Sequence, residues 1–356
     1  MGKVLMKGNE AMALAAIKGG CDAFFGYPIT PQNELPEYLS YHMQDHDRVF
    51  VQAESEVAAI NMVYGAAGTG ARVLTSSSSP GIALKQEGIS YIAGSELPAV
   101  IINVMRGGPG LGGIQPSQAD YNQITRGGGN GDYHVLSFAP ETLQETVDIV
   151  RQSFDYADYY RNPVMIAVDG LIGQMMEPVD IEKELDMKAP LKKEWAADGN
   201  AHARGKRNII VSLSLDPNVL EDHNLKLQKK YDEMIEKEQR YELINMDDAE
   251  VVIVAYGSMA RIARSAVKML KEEGLNVGII RPITLWPFPE KAFENLPQSV
   301  HTLLTVEMSL GQMLQDVKIV NQGRYKLDFF GRTGGVVPEA EEVVEAAKKA
   351  LRGQNE

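Results

Sequence analysis

The 356-residue chain has 35 basic and 48 acidic residues, a formal net charge of −13 and 44% hydrophobic residues. This acidic balance argues against nucleic acid as the main partner, and an anionic substrate would need a local cationic side chain to bind. The only cysteine, Cys21, excludes an internal disulfide and an iron–sulfur cluster held by several thiolates of this chain. Because the sequence has neither an apolar stretch of membrane-spanning length nor a signal-type N-terminus, we expect a cytoplasmic protein with no membrane partner.

The first predicted elements lead into a turn that contains two prolines. Asn9 predicts the N-cap of a helix that runs through an alanine-rich stretch and stops at a pair of glycines. A short strand over residues 23–25 then enters the sequence GYPITPQNE. Because Pro31 suits the first position of a helix, we expect Thr30 to be the N-cap of the second helix. Its hydroxyl would then lie at the C-terminal end of the strand.

The order of strand, polar loop and helix repeats along the next hundred or so residues. Further strands are predicted over residues 48–53, from about residue 73, and over residues 99–104. This repeat indicates an α/β fold with a doubly wound parallel sheet. Each strand is followed by a polar or charged group, in chain order Thr30, Glu56, the serine run 76–79 and Arg106. Because ligands bind at the carboxyl ends of parallel strands, these groups together predict a site.

The remaining chain suggests two more regions. We expect a first domain over residues 1–176, which includes a strand at residues 163–168. Residues 177–248 are more charged and less regular, and they predict a connector with one long polar helix. Residues 249–356 return to an α/β pattern and predict a smaller second domain.

Each candidate site residue also has a purely structural interpretation. Thr30 can be a helix cap and nothing more, and Glu56 can be an ordinary first-turn glutamate that the helix dipole favours. If Ser55 caps the helix, Glu54 and Glu56 diverge and only one of them can enter the crevice. Arg106 is either a surface arginine or the cationic group that an anionic substrate requires, because a guanidinium can bind a carboxylate through two parallel hydrogen bonds.

Two other motifs carry weaker signals. Gly108, Gly110 and Gly113 match the dinucleotide pattern, but Pro109 interrupts it and no helix follows directly, so a loop over a site is favoured. His42 and His46 are four residues apart, as zinc ligands can be, but no third ligand is near them in the sequence, which favours a solvated helix end.

With these residues in hand, the chain resembles the α subunits of the thiamine-diphosphate-dependent 2-oxoacid:ferredoxin oxidoreductases. The match lies in FGYPITPQNE, QAESEVAAINMVYGAA, TSSSSPGIALKQEGISY and NVMRGGPGLGG, and AYGSMARIARSAV and IRPITLWPFPE extend it into the second domain. The resemblance implies a pyrimidine-binding domain followed by a transketolase C-terminal-like domain. Within the family the chain is most similar to the branched-chain subunits that act on 3-methyl-2-oxobutanoate, and 2-oxoglutarate is the nearest alternative substrate.

The resemblance also implies a division of labour between subunits. Val168-Asp169-Gly170 departs from the family's Gly-Asp-Gly motif, and Asn200 lies in the charged connector. We therefore expect a separate β subunit to hold Mg²⁺ and the diphosphate, and γ and ferredoxin-like subunits to carry the iron–sulfur clusters. Ferredoxin and coenzyme A are the implied partners, self-association is expected, and activity should require the complex. A non-catalytic scaffolding subunit of such a complex is the main alternative.

Individual roles follow from the same resemblance. Glu56 matches the glutamate that hydrogen-bonds N1′ of the cofactor's aminopyrimidine ring and assists proton removal from the thiazolium C2. Thr30 and Arg106 match positions that bind the substrate carboxylate. The resemblance also implies that the cofactor contacts lie at Tyr27, Pro28, Ile29 and Glu56.

Overall fold

The computed structural model describes residues 2–188 and 191–353. In chain order the strands of this part are β1 (Val4–Lys7), β2 (Ala23–Gly26), β3 (Val49–Gln52), β4 (Val73–Ser77), β5 (Ala99–Met105), β6 (Leu136–Phe138), β7 (Pro163–Asp169), β8 (Met176–Val179), β9 (Tyr241–Ile244), β10 (Val251–Val254), β11 (Val277–Pro282), β12 (Thr284–Trp286), β13 (Thr302–Glu307) and β14 (Lys326–Gly331). The α-helices are α1 (Gly8–Lys18), α2 (Glu34–His42), α3 (Glu56–Gly68), α4 (Ser79–Gly94), α5 (Tyr121–Arg126), α6 (Leu143–Tyr160), α7 (Gly170–Gln174), α8 (Ala201–Arg204), α9 (Pro217–Lys237), α10 (Gly257–Glu272), α11 (Gln312–Asn321) and α12 (Ala340–Leu351).

A seven-stranded sheet forms the centre of the first half, in the order β12-β6-β7-β5-β4-β2-β3. Every neighbouring pair in it is parallel except β12 and β6. Strands β5 and β7 are buried along their whole length, as expected for a parallel sheet covered on both faces. The doubly wound α/β sheet predicted from the repeating pattern is therefore confirmed.

A five-stranded sheet in the order β14-β13-β10-β11-β9 organises the second half. It is parallel except for β9, the strand that ends the connector. Strand β12 leaves this half and pairs with β6, so a strand from the second half completes the first sheet. The sequence analysis did not predict this exchange, because β12 is only three residues long.

The connector follows β8, which pairs with β1 in a two-stranded antiparallel sheet. The long helix of the connector is α9, which lies within residues 177–248 as the sequence predicted. The buried side chain of Tyr231 on α9 lies edge-on to the rings of both His134 and Trp286. The connector thus packs over the point where β12 joins the first sheet. The two boundaries between the three predicted regions remain predictions.

Candidate functional site

The order of the strands defines a crevice at one edge of the seven-stranded sheet. Helix α2 leads from β2 to β3 on one side, whereas α4 leads from β4 to β5 on the other, and β2 and β4 are neighbours. In open α/β sheets, such a reversal opens a crevice at the carboxyl ends of the two strands, where ligands bind. The chain segments that leave these strands are GYPITPQNE and the serine run.

The turn after β2 differs from the prediction, because Thr30 is not a helix N-cap. Helix α2 begins three residues after Pro31, at Glu34, and the N-cap position is occupied by Asn33, whose side chain makes no capping bond. Residues 29–32 instead form a turn, in which the backbone N–H of Gln32 donates to the carbonyl of Ile29 (3.1 Å). The peptide bond between Thr30 and Pro31 is cis.

Two buried side chains hold this turn in place. The side-chain oxygen of Gln32 accepts a 2.5 Å hydrogen bond from the Ser76 hydroxyl on β4. Asn9 donates to the carbonyl of Pro31 and to Glu34, both at 2.8 Å. Asn9 therefore lies inside α1 rather than capping it, since the helix begins at Gly8 and its N-cap is Lys7. The turn is fixed by these contacts instead of by a capped helix.

Thr30 itself is half-buried at the crevice. Its hydroxyl oxygen accepts a hydrogen bond from the Asn33 side chain (3.2 Å), and its carbonyl accepts one from Arg106 (2.8 Å). As a helix cap, the hydroxyl would accept a hydrogen bond from a backbone N–H of α2. In the structure it accepts from the side chain of Asn33 instead. The hydroxyl proton has no acceptor in the part of the chain that the structure describes, so it is free to donate to a ligand.

Glu56 is the first residue of α3 and is only 7% exposed. Ser55 caps the helix by accepting from the N–H of Ala58 (3.1 Å), so that Glu54 turns out to solvent, as expected if Ser55 was the cap. Glu56 makes no hydrogen bond or ion pair with any residue that the structure describes. A Cβ atom at Gly81 would lie 2.7 Å from its Oε1, so the carboxylate occupies the space that this glycine leaves open.

The serines that follow β4 differ in whether their hydroxyls have hydrogen-bond partners. Helix α4 begins at Ser79, with Pro80 in its first turn. Ser79 donates to Asp120 (2.6 Å) and accepts from the backbone N–H of Arg106 (2.9 Å). The buried hydroxyls of Ser77 and Ser78 have no partner among the described residues.

Arg106 is buried, 7% exposed, and forms no ion pair with the described residues. Its guanidinium donates to the carbonyls of Thr30 (2.8 Å) and Leu111 (3.0 Å), and its Nε has no partner there. The nearby Asp120 is held by Ser79 and Asn103, and burial raises the pKa of its carboxyl. Because carbonyl groups carry no net charge, the positive charge of Arg106 remains available for an anion.

The glycine-rich stretch after Arg106 is a loop that lies over the crevice and leads to no helix until Tyr121. The loop is fastened at its far end by Gln118, which donates to the carbonyl of Tyr256 and accepts from the N–H of Met308, both at 2.9 Å. The favoured interpretation of the glycine pattern, a loop rather than a nucleotide-binding turn, fits this geometry.

A cavity of about 620 Å³ opens next to Thr30. Its walls come from the turn, the loop and α7, and they include Thr30, Glu34, Ile114, Pro116, Leu171 and Met175. None of the lining residues that the structure describes is a lysine or arginine.

Lys85 on α4 was not singled out from the sequence. Its ammonium group is fully buried and donates to the Thr75 hydroxyl (2.6 Å) and the Ser76 carbonyl (3.0 Å). Burial lowers its pKa to about 7, although the charge of Glu56 raises it. Its only sequence signal is its position between Ile82 and Ile89 on the apolar face of the helix.

The described residues contain neither a cluster of metal ligands nor a membrane-spanning helix. His42 and the exposed Asp45 lie 3.6 Å apart, and across residues 2–188 and 191–353 no three His, Cys, Asp or Glu side chains cluster as metal ligands would. Asp169 accepts from the backbone N–H groups of Leu171 and Ile172 and from the Ser258 hydroxyl, so its carboxylate caps α7. None of the described helices has the length and apolarity needed to cross a membrane.

Comparisons with known proteins match both halves of the chain. The family described as "Pyruvate flavodoxin/ferredoxin oxidoreductase, thiamine diP-bdg" matches residues 14–243. The family described as "Pyruvate:ferredoxin oxidoreductase core domain II" matches residues 249–343.

Similar curated proteins extend over the whole chain. The ketoisovalerate oxidoreductase subunit VorB of Methanothermobacter thermautotrophicus is 48% identical over 349 residues, which is 98% of each chain. The protein of the same name from Methanothermobacter marburgensis is 45% identical over 356 residues, or 100% of each. The 2-oxoglutarate synthase subunit KorA of M. thermautotrophicus is 33% identical over 374 residues, again 98% of each.

Solved structures show the fold. A 2-oxoglutarate:ferredoxin oxidoreductase from Magnetococcus marinus, solved with 2-oxoglutarate, coenzyme A and succinyl-CoA, superposes with a TM-score of 0.88 at 24% identity. The match covers 98% of this chain and 65% of that one. A split-gene transketolase has a TM-score of 0.60 at 16% identity and 98% coverage of both chains.

Proposed function

The chain belongs to the pyruvate flavodoxin/ferredoxin oxidoreductase family, and we propose that it supplies the pyrimidine side of the thiamine diphosphate site in a branched-chain 2-oxoacid:ferredoxin oxidoreductase. In this role it is an enzyme subunit that acts with partner subunits, ferredoxin and coenzyme A. The complex converts 3-methyl-2-oxobutanoate to the acyl-CoA and carbon dioxide and passes two electrons to ferredoxin.

The observation that carries this proposal is the isolated carboxylate of Glu56. Glu56 is only 7% exposed and accepts no hydrogen bond from the described residues, so its carboxylate is expected to meet a donor in a ligand. Protonated N1′ of an aminopyrimidine ring would supply that donor, and Glu56 would be the residue that holds it. Tyr27, Pro28 and Ile29, which leave β2 at this edge, are the proposed contacts to the ring.

When bound, thiamine diphosphate supplies a nucleophilic carbon that adds to the ketone of a 2-oxoacid and accepts the electron pair left by decarboxylation. The residues of this chain prepare that chemistry. Glu56 would hold a proton at N1′, which favours the imino tautomer of the ring, whose nitrogen can take the proton from the thiazolium C2.

Arg106 and Thr30 are proposed to bind the substrate carboxylate. The guanidinium has an unpaired Nε–H and a positive charge that the described residues leave unneutralised, and the Thr30 hydroxyl has a free proton. Since the Thr30 carbonyl already accepts from Arg106, the two donors are held next to each other. A carboxylate that bridges them would be fixed in orientation before the bond to its ketone carbon breaks.

The proposed division of labour places Mg²⁺ and the diphosphate on a β subunit. Supporting this, Oδ1 of Asp169 accepts from the N–H groups of Leu171 and Ile172 and from the Ser258 hydroxyl, so it caps α7. The single thiol of Cys21 is buried. Iron–sulfur clusters are likewise proposed on partner subunits, of γ and ferredoxin-like type, in a cytoplasmic complex.

The branched-chain substrate is favoured by the cavity beside Thr30. Its apolar walls of Ile114, Leu171 and Met175 suit an isopropyl group. The carboxylate of Glu34 is already paired with Lys7, and none of the described residues that line the cavity is a lysine or arginine, which disfavours a second substrate carboxylate. The greater identity to the ketoisovalerate subunits than to the 2-oxoglutarate subunits agrees with this choice.

The test is reconstitution of the purified chain with its partner subunits. We expect thiamine-diphosphate-dependent reduction of ferredoxin with 3-methyl-2-oxobutanoate and coenzyme A, and a much smaller kcat/KM with 2-oxoglutarate. Glu56→Gln should remove this activity, whereas the matched variant Glu54→Gln should keep it because Glu54 faces solvent. Full activity of Glu56→Gln would favour a scaffolding role, and a faster reaction with 2-oxoglutarate would reassign the substrate.

A further inference from the structure

Lys85 is a fully buried lysine to which the proposed mechanism assigns no role. Its two hydrogen-bond acceptors, the Thr75 hydroxyl and the Ser76 carbonyl, lie near the carboxyl end of β4. The side chain therefore runs back toward the N-terminus of α4, as helical side chains do, and brings its ammonium group to the crevice edge of the sheet. No carboxylate of the described residues lies within ion-pair distance of it.

The carboxylate of Glu56 packs against the same face of the helix. Gly81 and Lys85 are four residues apart and so lie one turn apart on one face of α4. A Cβ atom at Gly81 would lie 2.7 Å from Oε1 and 3.2 Å from Cγ of Glu56. Among the described residues, Glu56 is the charged group that acts on the pKa of Lys85. Its negative charge raises this pKa, against the effect of burial.

We propose that Lys85 is a positioning residue whose ammonium group provides the positive charge that faces the carboxylate of Glu56. The inference rests on the proposed role of Glu56 toward the cofactor. A carboxylate at a largely buried position needs a donor or an opposite charge, and Glu56 has no hydrogen-bond donor among the described residues. A neighbouring positive charge supplies the missing stabilisation without occupying the carboxylate oxygens, which stay free to accept from the pyrimidine N1′.

The charge state of Lys85 fits this arrangement. Because burial lowers the pKa of Lys85 to about 7, the ammonium form is present below that pH.

A thermodynamic cycle on the full chain, without cofactor, tests the coupling. The melting temperature is measured at pH 6 for Lys85→Met, Glu56→Gln and the double variant. In the wild type, Lys85→Met removes both the charge beside Glu56 and the cost of a buried ammonium group, so the coupling is measured as the difference between the two backgrounds. In the Glu56→Gln background the change in melting temperature should be more positive than in the wild type, because the charge that is removed there has no carboxylate beside it. Equal shifts in both backgrounds would overturn the proposal.

Lys230 provides a matched control, because burial lowers its pKa to about 8 and it lies on α9 with Glu96 as its partner. Lys230→Met should shift the melting temperature equally with and without Glu56→Gln. Lys85→Gln adds a second variant, which keeps a donor for Thr75 and Ser76 while removing the charge.

The assembled complex gives an independent measurement. The acidic limb of the pH profile of kcat/KM should move upward by about one unit or more in Lys85→Met and Lys85→Gln, and stay in place in Lys230→Met. An unmoved limb would reject the role of Lys85. The melting cycle needs no cofactor, so a failure to bind thiamine diphosphate would reject the proposed function while leaving the coupling between Lys85 and Glu56 measurable.

Discussion

At the scale of single residues, the crevice contains charges that the rest of the chain does not neutralise. Glu56 and Arg106 are both buried, and neither forms an ion pair with a described residue. By contrast, the buried guanidinium of Arg281 is paired with Glu145. An unpaired buried charge lowers stability, so the presence of Glu56 after β3 and of Arg106 after β5 points to a ligand that supplies the opposite charges.

Arg106→Leu should weaken substrate binding. Loss of charge-assisted hydrogen bonds to a carboxylate should raise KM for the 2-oxoacid on the order of tenfold to hundredfold, with a smaller change in kcat. Steady-state kinetics of the reconstituted complex measures this. Arg126→Leu is the control, because Arg126 pairs with Asp316 outside the crevice and should leave KM unchanged. A normal KM in Arg106→Leu would remove this residue from the substrate site.

Lys85 should also make stability depend on pH. Its pKa is about 7 in the folded chain and near the ordinary 10.5 when unfolded. Between these values the unfolded chain binds more protons, so the stability contribution rises as pH increases from about 7 toward 10.5 and is lowest below 7. Urea unfolding across this range should show Lys85→Met losing stability relative to wild type as pH increases. A pH-independent difference would contradict the buried, proton-releasing state of Lys85.

The sequence predicted Thr30, Glu56 and Arg106 because each follows an apolar strand, and strand ends can be read from local pattern. Lys85 could not be predicted in this way. It occupies a helix position where a long side chain can equally point to solvent, and its burial depends on the packing of α3 against α4. The role of Thr30 as a cap was wrong because the contacts that shape its turn come from Asn9 and Ser76, both distant in sequence.

At the scale of elements, the loop between β5 and α5 connects the crevice to the second half of the molecule. Its near end carries Arg106, whose guanidinium donates to Leu111 within the loop. Its far end is fastened by the fully buried amide of Gln118 to backbone groups of the second half. The position of the guanidinium therefore depends on a contact with residues that follow β10 and β13.

Gln118→Ala should destabilise the chain and disturb the loop. Two buried backbone groups would lose their partners, which costs roughly 2–4 kcal/mol of unfolding free energy in urea. Limited proteolysis should cut the loop near Leu111 faster, and KM should rise with it. The control is Gln123→Ala, whose side-chain oxygen has no partner among the described residues. Unchanged proteolysis in Gln118→Ala would show that the loop is held by other contacts.

The element pattern was predictable where strands and helices alternate, because period and turn residues are local signals. The prediction failed at helix starts that tertiary contacts decide, namely those of α1 and α2. The short strands β1 and β8 were also missed, since they pair with each other across most of the first half of the chain.

At the scale of the whole molecule, an ion-pair network joins the two halves. Arg281 on β11 is 4% exposed and donates to both carboxylate oxygens of Glu145 on α6, at 2.7 and 2.8 Å. Its Nε also donates to Glu242 on β9 (3.1 Å). Planar guanidinium groups suit such paired contacts, so this residue fixes the two sheets relative to each other.

Arg281→Met should lower the free energy of unfolding by about 2–4 kcal/mol, less than for a wholly buried pair because Glu145 and Glu242 are partly solvated. The loss should persist at high salt, since buried pairs are poorly screened. Arg332→Met, which breaks an exposed pair with Glu342, should cost less than about 1 kcal/mol. Similar effects for both variants in chemical denaturation would argue against a joining role for Arg281.

The pairing of β12 with β6 has a consequence for how the chain is made. During synthesis the N-terminal half leaves the ribosome well before Thr284 to Trp286, so the nascent sheet has an exposed edge at β6 until those residues emerge. An unpaired edge strand invites association with other chains, and a product truncated after residue 248 would keep that edge permanently. The two halves therefore form one folding unit. Gene fragments that separate them should yield insoluble protein rather than two independently folded domains.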